Sequence, residues 1–271
     1  MPDPSPDPEP DPDPGAGFER LATLAGVAED SGFDSLWVND HAGSVTGDPA
    51  GFESRFEAYT LLGALATRTT SAGLGAFPQG PKVRSPSMVA KIVTGVDVIS
   101  HGRGMLALGF DAGVPDAVER LGEELAVCRA LLTQDAPSFH GRFYHLDGAP
   151  NRPRPVRAGG VPLLVVADDP AVAGPSARWA DAVVIGGDAN GAEAMMSALD
   201  RECEAGGRDR SAVGVVWSGT TVGGPAALAD DLRWLAGIGV NGCVLSLAEG
   251  YDPGAIVAAG KAVSGVTFSE R

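Results

Sequence analysis

One stretch decides the fold: residues 73–111, GLGAFPQGPKVRSPSMVAKIVTGVDVISHGRGMLALGFD. Its two ends, Gly73–Phe77 and Met105–Gly109, are short apolar runs. Between them, apolar residues recur at helical spacing, at Met88, Ile92, Val96 and Ile99. Two apolar strands joined by one amphipathic helix indicate a right-handed βαβ unit with parallel strands, and such strands are buried under helices. In folds of this kind, chemistry usually sits in the loops at the carboxyl ends of the strands.

The same alternation of strand and helix continues on both sides of this unit. Apolar runs predict seven parallel strands, centred near residues 36, 74, 106, 164, 184, 215 and 244. Residues 138–145 predict a small hairpin that turns at Gly141, with His140 and His145 on the surface. Strict alternation indicates either an open doubly wound sheet or an eight-stranded α/β barrel. The 271 residues are enough for a barrel, which needs about 250, but the strand count is one short.

The missing strand would come before the first predicted helix, which begins near Phe18. That region alternates proline with acidic residues, and proline at every second position cannot form a central strand. We therefore expect residues 1–16 to be a disordered tail and residues 17–271 to form one domain. Two explanations for the missing strand stay open. Either the true start lies upstream of Met1, or the barrel is degenerate and the tail or a partner fills the gap.

Composition argues against several classes of partner. The 20 Lys and Arg against 35 Asp and Glu give a net charge of −15, which argues against nucleic acid or an anionic membrane as the main partner. No apolar run approaches the ~20 residues of a membrane span. Cys128, Cys203 and Cys243 are far apart and have no metal-ligand spacing. We expect reduced, mostly buried thiols in a cytoplasmic protein, and no metal site.

Several segments carry a resemblance to a known family. They are FDSLWVNDH (33–41), LLGALA (61–66), GLG (73–75), DVISHGR (97–103), LALG (106–109), NRPRPV (151–156) and GVNGCVLS (239–246). No single motif is specific, but in this order, over about residues 18–264, the chain resembles the bacterial-luciferase-like oxidoreductases. The resemblance implies a (β/α)8 TIM barrel of the luciferase-like type, here lacking its first strand or degenerate in it.

What the resemblance implies about activity leaves three hypotheses open. The first is hydride transfer between coenzyme F420, or FMN as the alternative cofactor, and a small organic substrate. The second is a non-catalytic scaffold or partner subunit with a degenerate cofactor site. The third is an FMN-dependent monooxygenase served by a reductase partner, and a homodimer is a further expectation. In the enzymatic cases the cofactor does the chemistry and the protein supplies placement.

The resemblance also assigns site residues at the strand ends. His41, as a proton-transfer group, and Asp111, close to the position of a family acid, are the candidate catalytic residues. The candidate cofactor-binding residues are Asp40, Ala76, Phe77, Pro78, Gly109, Phe110, Ala167, Asp168 and Asp169. A histidine at a strand end titrates near neutrality and can shuttle a proton. The alternative is that Asp40 caps local backbone and His41 merely packs.

The segment after the strand Gly73–Phe77 departs from the family. Many F420-binding members carry a non-prolyl cis peptide in a bulge there, whereas this chain has Phe77-Pro78. A cis bond before proline costs only about 0.5–1 kcal/mol, so we hypothesise a cis Phe77–Pro78 bond, the alternative being a trans proline that ends the strand. Lys82 and Arg84 follow in the loop, where they would either engage the phosphorylated cofactor or lie on a solvated face.

Two further positions depart from the family. Ala167-Asp168-Asp169-Pro170 stands where relatives have a glycine- and serine-rich turn that binds the cofactor phosphate through backbone N–H groups. Here Asp169 resembles a helix N-cap and Pro170 the first helical residue, so a carboxylate would fill the anion site itself. Two acids near a phosphate repel it, which makes a structural role the leading interpretation. Bulky Phe110 occupies space that a cofactor would need.

Overall fold

The computed structural model describes residues 14–41, 56–79, 84–187, 189–220, 224–246 and 252–268. Within them, α-helices alternate with seven parallel strands, and a short hairpin is inserted after the fourth helix. The strands of the sheet are β1 Ser35–His41, β2 Gly73–Gln79, β3 Gly104–Gly109, β6 Leu163–Val166, β7 Ala182–Ile185, β8 Gly214–Thr220 and β9 Gly242–Ser246. The hairpin consists of β4 Phe139–His140 and β5 His145–Leu146. The helices are α1 Pro14–Asp30, α2 Ala58–Leu65, α3 Pro86–Ile99, α4 Ala117–Thr133, α5 Ala173–Trp179, α6 Ala189–Gly206, α7 Gly224–Gly237 and α8 Pro253–Val263.

The seven strands pair in the order in which they occur along the chain, and each pairing is parallel. A doubly wound sheet would reverse its strand order at a switch point, so the sequential order identifies a nearly closed barrel. Its edges are β1 and β9. α1 contacts α8. The approach is close just after α1, where a Cβ atom at Gly260 would lie 2.4 Å from the Ser31 carbonyl oxygen. The seven predicted strands and the barrel are confirmed, and the doubly wound alternative is wrong.

Successive residues of each strand face alternately into the barrel and toward the helices. The inward-facing cluster consists of Trp37, Phe77, Met105, Ala107, Leu164, Val166, Ala182, Val184 and Val216. Their neighbours, such as Leu106 and Val165, pack in the main core under the helices. Trp37 lies directly over Gly75 on the adjacent strand, where a Cβ atom would come within 2.3 Å of the indole ring. The barrel interior is therefore filled by an aromatic side chain that requires glycine opposite it.

The DVISHGR segment has a structural role at the amino end of β3. The fully buried Asp97 carboxylate accepts hydrogen bonds from the N–H groups of Gly104 and Val156, at 3.2 and 2.7 Å. Arg103 donates to three carbonyl oxygens of residues 66–72, at 2.8–3.0 Å. Both charged groups hydrogen-bond to backbone groups around the start of β3, so this part of the family pattern serves the fold and not the cofactor.

The first helix begins earlier than the sequence predicts. α1 starts at Pro14 instead of near Phe18, so the predicted tail boundary at residue 16 falls inside the helix. Proline is tolerated in a first helical turn because its missing N–H would be unpaired there in any case. Residues 1–13 lie outside the described residues, so the disorder predicted for them and the two explanations for the missing strand stay predictions.

The predicted helix between β2 and β3 is confirmed as α3. Its predicted apolar face is right at Val96, which is buried, and at Ile92, which packs against the main core, but wrong at Met88 and Ile99. Met88 and Ile99 are 54% and 50% exposed, whereas Val89 and Val93 are buried. α3 is apolar around much of its circumference, so hydrophobic spacing alone does not fix its rotation. The bond from the Gly104 N–H requires buried Asp97 to face the sheet, and this turns Met88 and Ile99 outward.

Three smaller predictions about the chain are confirmed. The hairpin forms where expected, with His140 paired to His145, and both residues are exposed. All three cysteines are free thiols, with Cys128 and Cys203 buried and Cys243 half-buried. Burial raises the pKa of the Cys243 thiol to about 11, so this thiol stays protonated near neutral pH.

Candidate active site

A cavity of about 540 Å³ opens at the carboxyl ends of the strands, a size in the range of small-molecule sites. Its walls come from the ends of β1, β2, β3, β6, β7 and β8 and from helices α2, α3 and α4. The cavity brings together nine of the predicted site residues, namely Asp40, Phe77, Pro78, Gly109, Phe110, Asp111, Ala167, Asp168 and Asp169. Positions that are far apart in sequence therefore meet at one place, as parallel strands in a barrel require.

Two predicted site residues are not among those that line the cavity. Ala76 is only 2% exposed and packs in the main core under the helices, so it is removed from the cofactor-binding set. The reason is strand alternation, since Phe77 faces the barrel interior and its neighbour must face the helices. His41 is the last residue of β1, paired with Gln79, and its side chain lies outside the described part of the chain. Its catalytic role stays a prediction.

The hypothesis of a cis Phe77–Pro78 bond is wrong. Within the described residues the cis peptide bond is Arg152–Pro153, so the bond before Pro78 is trans. The strand neither bulges nor ends there, because β2 stays in register with β1 through Asp40 opposite Pro78 and on to Gln79. β3 pairs only with residues 74–76 of β2, so the missing N–H of Pro78 breaks no pairing with β3.

Asp40 is held in place by a network of ion pairs around the partly buried Arg84. The Arg84 guanidinium donates to the Asp40 carboxylate at 2.6 Å and to the Glu57 carboxylate at 2.7 Å. It also lies 5.1 Å from the centre of the Tyr59 ring. Burial and the Asp40 charge raise the pKa of Tyr59, so its hydroxyl stays neutral. Arg84 is thus not a solvated loop residue, and its guanidinium is already paired with two carboxylates. Lys82 lies outside the described residues.

Asp111 and Phe110 form the wall after β3. The Asp111 carboxylate accepts a hydrogen bond from the Gly113 N–H at 3.0 Å, which closes a tight turn and leaves the side chain half-exposed at the cavity. Phe110 packs partly against the main core while lining the cavity, and its N–H donates to the Val166 carbonyl at 3.2 Å. The ring therefore narrows the cavity without filling it.

The turn after β6 is organised by its own carboxylates, and the predicted capping role of Asp169 is confirmed. Asp169 caps a short 3-10 turn, Pro170–Val172, by accepting from the Ala171 N–H at 2.9 Å. Asp168 accepts from the Gly186 N–H at 2.5 Å, which ties this turn to the end of β7. Two backbone N–H groups that an anion would otherwise find here are therefore already bound to carboxylates.

One buried acid lines the cavity that the sequence analysis did not single out. Glu124, on α4, lines the cavity and is only 4% exposed. The Tyr144 hydroxyl of the hairpin donates a hydrogen bond to it at 2.8 Å. Burial and the neighbouring Glu124 charge raise the pKa of Tyr144 to about 12. The hairpin, predicted only as a surface element, thus reaches the candidate site through Tyr144.

The charges of the cavity suit the ring of the implied cofactor better than its phosphate. Among the described lining residues there are five carboxylates against the single arginine, Arg84. The carboxylates are Asp40, Asp111, Glu124, Asp168 and Asp169. Phe77, Pro78 and Phe110 offer apolar surface suited to a flat ring, whereas the turn after β6 repels a phosphate. The described residues therefore fit the ring of F420 or FMN and do not fit its phosphate at that turn.

A metal site and a membrane-spanning helix are both absent from the described residues. They contain no group of three or more His, Cys, Asp or Glu side chains arranged to hold a metal ion. None of their helices is both long and apolar enough to cross a membrane.

Comparison with known proteins agrees with this geometry. Residues 4–236 match the family model of the luciferase-like monooxygenases. A 5,10-methylenetetrahydromethanopterin reductase from Archaeoglobus fulgidus is 29% identical over 170 residues, covering 59% of this chain and 46% of that protein. An F420-dependent glucose-6-phosphate dehydrogenase from Amycolatopsis mediterranei is 29% identical over 180 residues, covering 60% of this chain and 52% of that protein. The chain thus spans about half the length of these curated relatives.

A solved structure supports the barrel over nearly the whole chain. A monooxygenase from Streptomyces bottropensis superposes with a TM-score of 0.68, at 18% identity, covering 94% of this chain and 93% of that one. At this identity the likeness concerns the fold alone. The family model, by contrast, matches well over half of the sequence. The chain therefore belongs to the luciferase-like monooxygenase family.

Proposed function

We propose that this chain is an oxidoreductase that holds the ring of coenzyme F420, or of FMN, in the cavity and acts on a small organic substrate. The observation that carries the proposal is the cavity itself. The ends of six strands meet there, and Phe77, Pro78 and Phe110 offer apolar surface for a flat ring. The relatives named above include an F420-dependent dehydrogenase, which favours F420 over FMN. When bound, either cofactor would supply the hydride chemistry.

The chain's own residues would orient the cofactor ring and handle the proton of the reaction. Asp40 is held by Arg84 at 2.6 Å, so its carboxylate presents a fixed charge beside Pro78. In this proposal Asp111 and His41 are the proton-handling groups, and Phe77, Pro78 and Phe110 contact the ring. The turn of Asp168 and Asp169 is assigned no contact with the phosphate.

The partners follow from the same proposal. A small organic molecule would enter the cavity, and a hydride-transferring F420 enzyme needs no protein partner for its reaction. An FMN-dependent monooxygenase would need a reductase to supply reduced flavin. A homodimer and a cytoplasmic location are further elements of the proposal.

A second candidate function is a non-catalytic scaffold or partner subunit. Its support is specific: both carboxylates of the turn after β6 occupy backbone N–H groups suited to an anion. In a chain that does not bind a phosphorylated cofactor, these N–H groups need not stay available for a phosphate. The cavity would then be a feature of the barrel fold without a catalytic role.

Titration of the purified protein with F420 and, separately, with FMN tests the two functions. Each cofactor is fluorescent, so binding is followed by the change in its emission. Saturable binding of either one in the micromolar range rejects the scaffold. Absence of binding by both cofactors, with the protein shown to be folded by circular dichroism, rejects the oxidoreductase.

A further inference from the structure

The cavity extends from its open mouth into the protein core. Four apolar or aromatic lining residues, Tyr59, Val89, Leu108 and Ile185, also belong to the main hydrophobic core, and we call them the inner wall. Glu124 also lines the cavity and is 4% exposed. We propose that Glu124 is a ligand-anchoring residue, which accepts a hydrogen bond from a hydroxyl or amine group of an otherwise apolar organic substrate.

A carboxylate in this position needs support, because burying it costs several kcal/mol unless it is hydrogen-bonded. Tyr144 supplies one bond, donated by its hydroxyl at 2.8 Å. Arg120, about one helical turn before Glu124, hydrogen-bonds the Tyr144 side chain in turn. Glu124 is thus a hydrogen-bonded carboxylate at the cavity surface, and Tyr144 and Arg120 hold it in position.

The hairpin is built to hold Tyr144 in place. Glu123, the neighbour of Glu124, turns the other way and accepts from the three backbone N–H groups of residues 142–144, at 2.6–3.0 Å. Gly141 lets this carboxylate approach, since a Cβ atom there would lie 2.3 Å from it. One acid of α4 therefore anchors the hairpin, and the hairpin delivers its tyrosine to the next acid, which faces the cavity.

The chemistry of the inner part defines the ligand class. A carboxylate accepts hydrogen bonds and donates none, and the inner wall around it is largely apolar. A substrate with an N–H or O–H donor can donate a hydrogen bond to the Glu124 carboxylate, whereas an ether or carbonyl oxygen would face it with a lone pair. This inference rests on the proposed function and extends it from the cofactor to the substrate.

The matched probes are benzyl alcohol, which carries a donor, and benzyl methyl ether, which does not. In NMR titrations the native protein should bind the alcohol about tenfold or more tightly than the ether, as expected for a hydrogen bond to a charged group. Glu124→Leu should abolish this preference, and Glu124→Gln should reduce it. Asp231→Asn, which removes the same charge from an exposed position on α7 that does not line the cavity, should leave the preference intact.

The outcomes separate this inference from its alternatives. An equal alcohol preference in the native protein and in Glu124→Gln would overturn it, as would no preference in the native protein. If Glu124→Leu does not fold, Glu124→Gln decides, because a purely structural role lowers its melting temperature without changing the preference. The cofactor titrations are independent. Preference without cofactor binding overturns only the proposed function, and cofactor binding without preference overturns only the role of Glu124.

Discussion

Neutralising the turn after β6 should make the cavity more receptive to phosphate. The double variant Asp168→Asn, Asp169→Ser removes both charges but keeps an oxygen acceptor for the Gly186 and Ala171 N–H groups, which now bind carboxylates at 2.5 and 2.9 Å. Serine is about as good an N-cap as aspartate, so the turn should keep its shape. The change therefore isolates charge from geometry.

The expected size of the effect follows from exposure. Both side chains are exposed, so the effective dielectric is close to that of water. Two unit charges 4 Å apart then interact by about 1 kcal/mol, which is roughly fivefold in affinity for each carboxylate. The double variant should bind FMN up to ~30-fold more tightly than the native protein at low salt, and the gain should shrink as salt screens the charges.

Riboflavin, which has the same ring and no phosphate, is the control ligand. Fluorescence titration should show the gain for FMN and no change for riboflavin. Asp230→Asn with Asp231→Asn, a pair of exposed acids on α7, gives the same change in net charge away from the cavity. An equal gain for riboflavin, an equal gain in the α7 variant, or no gain for FMN would refute the reasoning.

Three other changes test the frame around the cavity. Asp97→Ala leaves two N–H groups, one buried and one half-buried, without their acceptor and should lower the free energy of unfolding by roughly 2–5 kcal/mol in urea denaturation. Gly75→Ala forces a Cβ atom against the Trp37 ring and should cost roughly 1–3 kcal/mol, with an altered near-ultraviolet tryptophan signal. Burial raises the pKa of Glu29, but hydrogen bonds from the N–H groups of residues 70–72 outweigh it and lower the pKa. Thermal melts should therefore show Glu29→Gln less stable than the native protein above pH 4.5, the pKa of a glutamate in the unfolded chain. The difference in stability should vanish as the pH falls through the lower pKa that Glu29 has in the folded protein.

The sequence predicts the frame well because the frame depends on local signals. The strands around Leu163–Val166 and Ala182–Ile185 are buried on both faces, so they are continuous apolar runs that need no partner to be recognised. α8 has the predicted bounds because Asp252 caps it and Pro253 opens it. α1 shows the limit of the same signals, since Pro14 fits a first helical turn as well as it fits a proline-rich tail.

The parts that were missed depend on contacts between distant segments. Glu123 and Glu124 are two adjacent acids in mid-helix, and nothing local shows that one binds the hairpin backbone while the other faces the cavity. That division depends on how α4 is rotated against a hairpin about 20 residues later. The isomer of the Phe77–Pro78 bond is likewise decided by pairing with β1, and the resemblance to cis-containing relatives pointed the wrong way.

These observations assign different parts of the cavity to different tasks. The family pattern survives in the frame, where Asp97 and Arg103 satisfy buried backbone, and in the strand ends that bring Asp40, Phe77 and Asp111 to one place. The turn after β6 has instead bound its own carboxylates. Binding of a cofactor would therefore draw on apolar contact with its ring more than on charge, because exposed acids weaken any phosphate contact there. The buried Glu124, held in place by Tyr144, is where the cavity offers a directed polar contact, and that contact suits a substrate donor better than an anionic cofactor.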